Sequence, residues 1–164
     1  MNKRVLIITY YWPPSGGAGV QRWLKFAKYL PSAGWQPVIY TPENPELAVE
    51  DPSLANDIPA EAEIIKTNIW EPYDWYKKLT GKKGKTINAG FSNEGKKAGI
   101  LEKSAIWLRG NLFIPDARKF WIQPSTRFLS SYLKKHPVDA IISTGPPHSM
   151  HLIALGLKQQ YNFK

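Results

Sequence analysis

The chain has 164 residues, a length that fits one domain with a real hydrophobic core. Its 22 Lys and Arg against 13 Asp and Glu leave a formal charge of +9, which favours anionic partners such as sugar nucleotides, acidic lipid surfaces or nucleic acid. The absence of cysteine excludes disulfides and thiolate metal sites, and no apolar run reaches the length of a membrane span or of a signal-peptide core, so a cytoplasmic protein is expected.

Val5 to Ile8 is a short, wholly apolar run and reads as a strand covered on both faces, which implies a parallel sheet. A glycine-rich stretch follows, with Gly16, Gly17 and Gly19 bare of side chains where backbone would approach a ligand. From Gly19, the residues Val20, Trp23, Leu24, Ala27 and Leu30 recur at helical spacing, with Arg22, Lys25 and Lys28 on the outer face. Strand, glycine loop and helix together bring backbone N–H groups and a positive helix end to one place, as a phosphate site requires. Tyr10 to Ser15 also make this connection longer than most strand-to-helix turns, which favours a binding loop over a plain one. The loop lacks the Lys-Ser/Thr pair of an ATPase phosphate loop. In a dinucleotide fingerprint a third glycine would stand at Arg22, although Glu43 past the second strand could imitate the ribose-binding acid.

Gln36 to Thr41 reads as the second strand, after a helix stop at Gly34, and Glu63 to Thr67 as the third, after a Pro-rich acidic stretch from Pro42 to Pro59. Leu101, Ala105, Leu108 and Leu112 form one helical stripe; Trp121, Phe128, Leu129, Tyr132 and Leu133 suggest another. Val138 to Ser143 is the expected fourth strand. Thr144-Gly-Pro-Pro-His-Ser should then open the last helix, with Pro147 in its first turn and Met150, Ile153, Ala154, Leu157 and Tyr161 inward. Alternation of this kind predicts a Rossmann-like, doubly wound α/β fold: a mainly parallel sheet with helices on both faces.

Ligands in such sheets sit beyond the carboxyl ends of the strands, where the strand order reverses. The glycine loop and the loop from Thr144 to Ser149 should therefore flank one crevice, with Arg22 beside Gly16, Gly17 and Gly19 on one side and Ser143, Thr144, Gly145, His148 and His151 on the other. Hydroxyls, imidazoles and bare amides suit a phosphate joined to a hydroxyl-rich ligand. A histidine is more often structural than catalytic, but His148 next to a helix N-terminus would stay neutral and able to accept a proton or a hydrogen bond.

Three segments carry a resemblance: Tyr10-Tyr-Trp-Pro-Pro-Ser-Gly-Gly-Ala-Gly-Val-Gln-Arg, Ile114-Pro-Asp-Ala-Arg-Lys-Phe-Trp and Asp139-Ala-Ile-Ile-Ser-Thr-Gly-Pro-Pro-His-Ser-Met-His-Leu-Ile. Together they resemble the N-terminal domain of family 4 glycosyltransferases, two-domain retaining enzymes of GT-B architecture, many of which build bacterial surface polysaccharides. The resemblance implies that this domain holds a glycan or lipid-linked acceptor, and that Gly16, Gly17 and Gly19 line the diphosphate of a UDP- or GDP-linked sugar donor, a substrate and not a cofactor. Many family members carry a histidine at the end of the fourth strand that contacts the donor sugar. Counting from Asp139 puts Thr144 there, so either His148 takes that role or no residue does. Asp116 and Arg118 match the family's Pro-Asp-x-Arg segment, as cleft residues or as a structural cap and ion pair. A further strand and a donor-binding domain with paired glutamates should follow in that family, so the chain is expected to be a fragment, inactive alone.

No Asp-x-Asp or His-Glu-x-x-His accompanies these segments, so no metal is expected. From Trp70 to Lys103, aromatics including Trp70, Tyr73, Trp75 and Tyr76 precede a lysine-rich run. It reads as a mobile basic loop at about 77–97, or as a contact with an anionic membrane at its inner face. No nucleic-acid recognition motif is present. A nicotinamide-dependent oxidoreductase domain and a basic, non-catalytic interaction module stay open as alternatives.

Overall fold

The computed structural model describes residues 3–47, 49–71 and 113–161. Its centre is a four-stranded parallel sheet of β1 (Lys3–Ile8), β2 (Trp35–Pro42), β3 (Glu63–Thr67) and β4 (Ala140–Ser143), in the order β3-β2-β1-β4. Alternation along the strands divides the core between the two faces. Leu6, Ile8, Val38 and Tyr40 meet α2 (Ile122–Lys135) and α3 (Ser149–Tyr161) on one face, where Leu129, Leu133, Met150, Ile153 and Leu157 are buried. Val5, Ile7 and Ile39 meet α1 (Ala18–Tyr29) on the other, through Leu24 and Ala27. The fold is therefore α/β and Rossmann-like, with helices on both faces of an all-parallel sheet.

The strands follow the expected runs and extend them, β1 beginning at Lys3 and β2 covering Trp35–Pro42. β4 is shorter than expected. Val138 and Asp139 precede it, and the Asp139 carboxylate accepts from the Arg4 amide at 2.7 Å, which fixes the entry of the chain into the sheet edge. Gly34 closes the 3₁₀ turn Pro31–Ala33 after α1, and does not end α1 itself; its left-handed backbone (φ 77) is open to glycine and disfavoured for other residues. Trp121 ends a 3₁₀ turn, Ala117–Trp121, and is the N-cap of α2 instead of a member of its inner stripe. Its ring is buried flat on Tyr40, whose hydroxyl meets Ser125 and Thr67. Phe128 stacks on the same tyrosine but keeps 42% of its surface exposed.

The last helix starts later than its sequence suggests. Pro147 lies outside α3, and Thr144 to His148 form an irregular loop before Ser149. The stripe Leu101, Ala105, Leu108 and Leu112, and the basic loop at about 77–97, lie outside the described residues.

Candidate functional site

Strand order reverses between β1 and β4: β2 follows β1 on one side, and β4 joins it on the other. At the carboxyl ends of this pair lies a cleft of about 320 Å³, placed where an α/β sheet takes its ligands. The glycine loop supplies Gly16, Gly19 and Arg22, the segment after β1 supplies Thr9 and Tyr11, and the loop after β4 supplies Thr144, Gly145 and Pro146. Trp23 and Val49 complete its apolar wall. The two loops named from the sequence thus do face each other.

The three glycines differ in what they do. The Gly16 amide donates to Val49 O at 2.8 Å, and Asp51 N donates to Pro14 O at 2.8 Å, so a short antiparallel bridge stitches the loop to residues 49–51. A Cβ on Gly16 would stand 3.1 Å from Val49 Cγ1. Its N–H is therefore already used and is not among the N–H groups that the loop can bring to a ligand. Gly17 is the N-cap of α1, with φ 102, a conformation that favours glycine. Apart from adjoining backbone and chain neighbours, no atom of the described residues lies within 4 Å of where a Cβ would be on Gly17 or Gly19. The N-cap side makes no side-chain capping bond, and the first intrahelical bond is Gln21 N to Gly17 O, so the first-turn amides of α1 are without a partner among the described residues. Arg22 is exposed at the same end, and no ion pair holds it among the described residues.

Across the cleft, the Thr144 amide is anchored to Ile8 O at 3.1 Å. Ser143 Oγ shares a 2.9 Å hydrogen bond with His151 Nδ1. His148 and His151 lie beside each other with ring centroids 5.8 Å apart, and both are exposed. Neither ring is among the cleft's lining residues, nor is Ser143. They lie against Gly145, where a Cβ would meet His151 Nε2 at 2.8 Å and His148 Nδ1 at 3.2 Å. The glycine is what lets this loop carry both imidazoles close to the cleft rim.

Asp116 and Arg118 stand behind the cleft and brace it. The Asp116 carboxylate caps its own 3₁₀ turn through Arg118 N at 2.8 Å and caps α3 through Ser149 N and Ser149 Oγ, both at 2.8 Å. Arg118 lies over the Tyr10 ring at 4.8 Å, with Glu71 at 3.2 Å and Glu46 at 3.4 Å. The Tyr10 hydroxyl donates to Glu71 and accepts from the Glu46 amide at 2.8 Å. Burial pushes the phenols of Tyr10 and Tyr11 above their ordinary range, against the pull of Arg118, so both stay neutral. For Arg118, burial opposes the charge, but Tyr10 and Glu71 outweigh it and hold the guanidinium firmly protonated. One segment thus ties the start of the glycine loop to the start of α3.

Sequence reasoning missed Thr9, Tyr11, Trp23 and Val49 as cleft residues. Thr9 directly follows the first strand and Tyr11 lies within the Tyr10 to Ser15 stretch read as a binding loop, and those positions are the signal that could have found them. Val49 reaches the cleft only through the bridge to Gly16, which no local pattern announces. Among the described residues no group of three or more His, Cys, Asp or Glu is placed to hold a metal ion. Compared with family models, with curated proteins and with solved structures, the chain has no match.

Proposed function

We propose that this domain is the acceptor-side half of a retaining, GT-B-type glycosyltransferase that moves a sugar from a UDP- or GDP-linked donor to a hydroxyl of a glycan or lipid-linked acceptor. The observation that carries the reading is the N-terminus of α1, with open glycine positions and with an Arg22 that no described residue pairs, across the cleft from Thr144 and Gly145 at the reversal of strand order. A diphosphate leaving group gains negative charge as its bond to the sugar breaks. First-turn amides, the helix dipole and Arg22 would meet that charge without a metal. His148 is the imidazole assigned to the donor sugar, close to the cleft through its packing on Gly145. Unchanged turnover of a His148→Ala variant of the active protein would remove that assignment. A second domain would close the cleft over the nucleoside, while this domain would meet the diphosphate on α1. No helix among the described residues is long and apolar enough to cross a membrane. The proposed setting is the cytoplasm, at the inner face of the cytoplasmic membrane where lipid-linked acceptors are held.

The test is calorimetric titration of the chain with UDP, GDP and NAD. A nucleoside diphosphate is expected to bind, and Arg22→Ala to weaken it roughly tenfold, as loss of one charge-assisted contact does. Binding of NAD in preference, lost in Glu43→Ala, would establish the oxidoreductase alternative instead. No binding of any nucleotide would leave a basic interaction module and overturn the proposal.

A further inference from the structure

Three separate parts of the chain form the walls opposite α1, and one buried guanidinium lies where they meet behind the cleft. Tyr10 stands between Thr9 and Tyr11, both of which line the cleft. Glu46 stands three residues before Val49, the wall that is stitched to Gly16. Ser149 begins α3 directly after the loop of Thr144 and Gly145. Arg118 Nη2 donates to the Tyr10 hydroxyl at 3.3 Å and to Glu46 Oε2 at 3.4 Å. The Arg118 amide donates to the Asp116 carboxylate, which also caps Ser149. All three walls are thus tied to residues 116–118.

Stability alone does not account for an arginine here. The side chains of Arg118 and Glu71 are 15% and 2% exposed, so both charges are largely out of water, where apolar residues of similar volume often hold a fold as well or better. The ion pair is not perfected either: Arg118 Nε stands 3.2 Å from Glu71 Oε1, yet is too poorly aligned to make a hydrogen bond. What a planar guanidinium provides, and neither an apolar group nor an ammonium does, is several contacts at fixed angles from one rigid group. Arg4 serves as a comparison. It bonds to Glu63, Tyr132 and Pro137 O, none of which lines the cleft.

We infer that Arg118 is a positioning residue, which holds the Tyr11, Val49 and Thr144 walls at the spacing that a nucleoside diphosphate requires. This deepens the glycosyltransferase reading and rests on it. Arg118 does not line the cleft, so it acts on the ligand only through Tyr10, Glu46 and Asp116. A cleft set in advance loses less binding free energy to the ordering of its walls, and removing the bracket should therefore weaken binding with every ligand contact still present.

Calorimetric titration of the full chain with UDP and GDP, paired with thermal melts, tests this. Removing Arg118 alone would strand the buried Glu71 charge, so the informative variant replaces both, as Arg118→Met/Glu71→Met. It should keep the wild-type melting temperature and yet bind the nucleotide roughly tenfold more weakly. Arg118→Lys keeps the charge and loses the fork; it should weaken binding to a similar degree, and it decides the matter if the double variant does not fold. Arg4→Met should do the opposite, lowering the melting temperature with affinity unchanged. In the free protein, the amide NMR resonances of Val49 and Thr144 should both shift in the double variant, although Arg118 bonds to neither residue. Affinity that follows the melting temperature across the three variants, or wild-type affinity in Arg118→Lys, would make Arg118 a purely structural residue and overturn the assignment while the donor site stands. Unmoved Val49 and Thr144 resonances would overturn it as well. A wild-type chain that bound neither nucleotide would instead sink the glycosyltransferase reading, and the assignment with it.

Discussion

Asp116 shows how much one carboxylate can organise. It satisfies the 3₁₀ turn and the first turn of α3 at once, and α3 begins directly after the loop that carries Thr144 and His148. A lost helix cap costs about 1 kcal/mol, so Asp116→Ala should lower stability by about 2 kcal/mol in urea denaturation, with Asp116→Asn recovering part through its remaining carbonyl oxygen. An Asp116→Ala protein as stable as wild type would show that water replaces both caps. Pro-Asp-x-Arg was legible as a candidate cap for its own turn, because Asp before a helical turn is a local signal. The bond to Ser149 was not legible, since 33 residues separate the partners. Gly145 makes the same point in reverse. Its neighbours in sequence suggested a helix opening, whereas its space is taken by two imidazoles from further along the chain. Gly145→Ala should shift the imidazole NMR resonances of His148 and His151, since one methyl would contact both rings, and should leave those of His136 unmoved.

Between elements, the clearest electrostatic link joins α1 to the 3₁₀ turn Pro52–Asp57. Hydrogen bonds from Lys25 and then Lys28 pull the Asp57 carboxyl from 3.8 down to about 2. The folded pKa lies below the unfolded one, so the stabilisation is fully present above about pH 4 and is lost as pH falls through about 2. In urea titrations the stability gap between wild type and Asp57→Asn should be flat above about pH 5 and close between about pH 4 and pH 2. The gap should be small and shrink with added salt, because these groups are at the surface. A gap that persisted at the acid end would assign the effect to packing and not to charge. The elements themselves were largely legible, because buried strands and amphipathic helices announce themselves by period. Their ends were not: β4 begins at Ala140 because Asp139 is committed to Arg4, and α3 waits until Ser149 because its cap comes from Asp116.

At the scale of the molecule, the described residues form one sheet with a core on each face, and the cleft is made by both. α1 approaches the β1–β4 junction from the face of Val5 and Ile7, while α3 approaches from the face of Leu6 and Ile8. The cleft's position could be read from the alternation of strands and helices, but the coupling of its two walls through β1 could not, since it depends on which strand is central. Leu24 and Ile153 are fully buried on opposite faces. Leu24→Ala and Ile153→Ala should each lower stability by about 3 kcal/mol, and the pair should add, because the sheet separates them. The Thr144 amide, bonded to Ile8 O, reports on whether the cleft shares in this. If both layers fold as one unit, hydrogen exchange at Thr144 should require the full unfolding free energy and should weaken by the same amount in Leu24→Ala, although Leu24 is across the sheet. Exchange at Thr144 that ignored Leu24→Ala while the melting temperature fell would mean that the β4 side of the cleft opens independently. The two loops would then meet only when a ligand joins them.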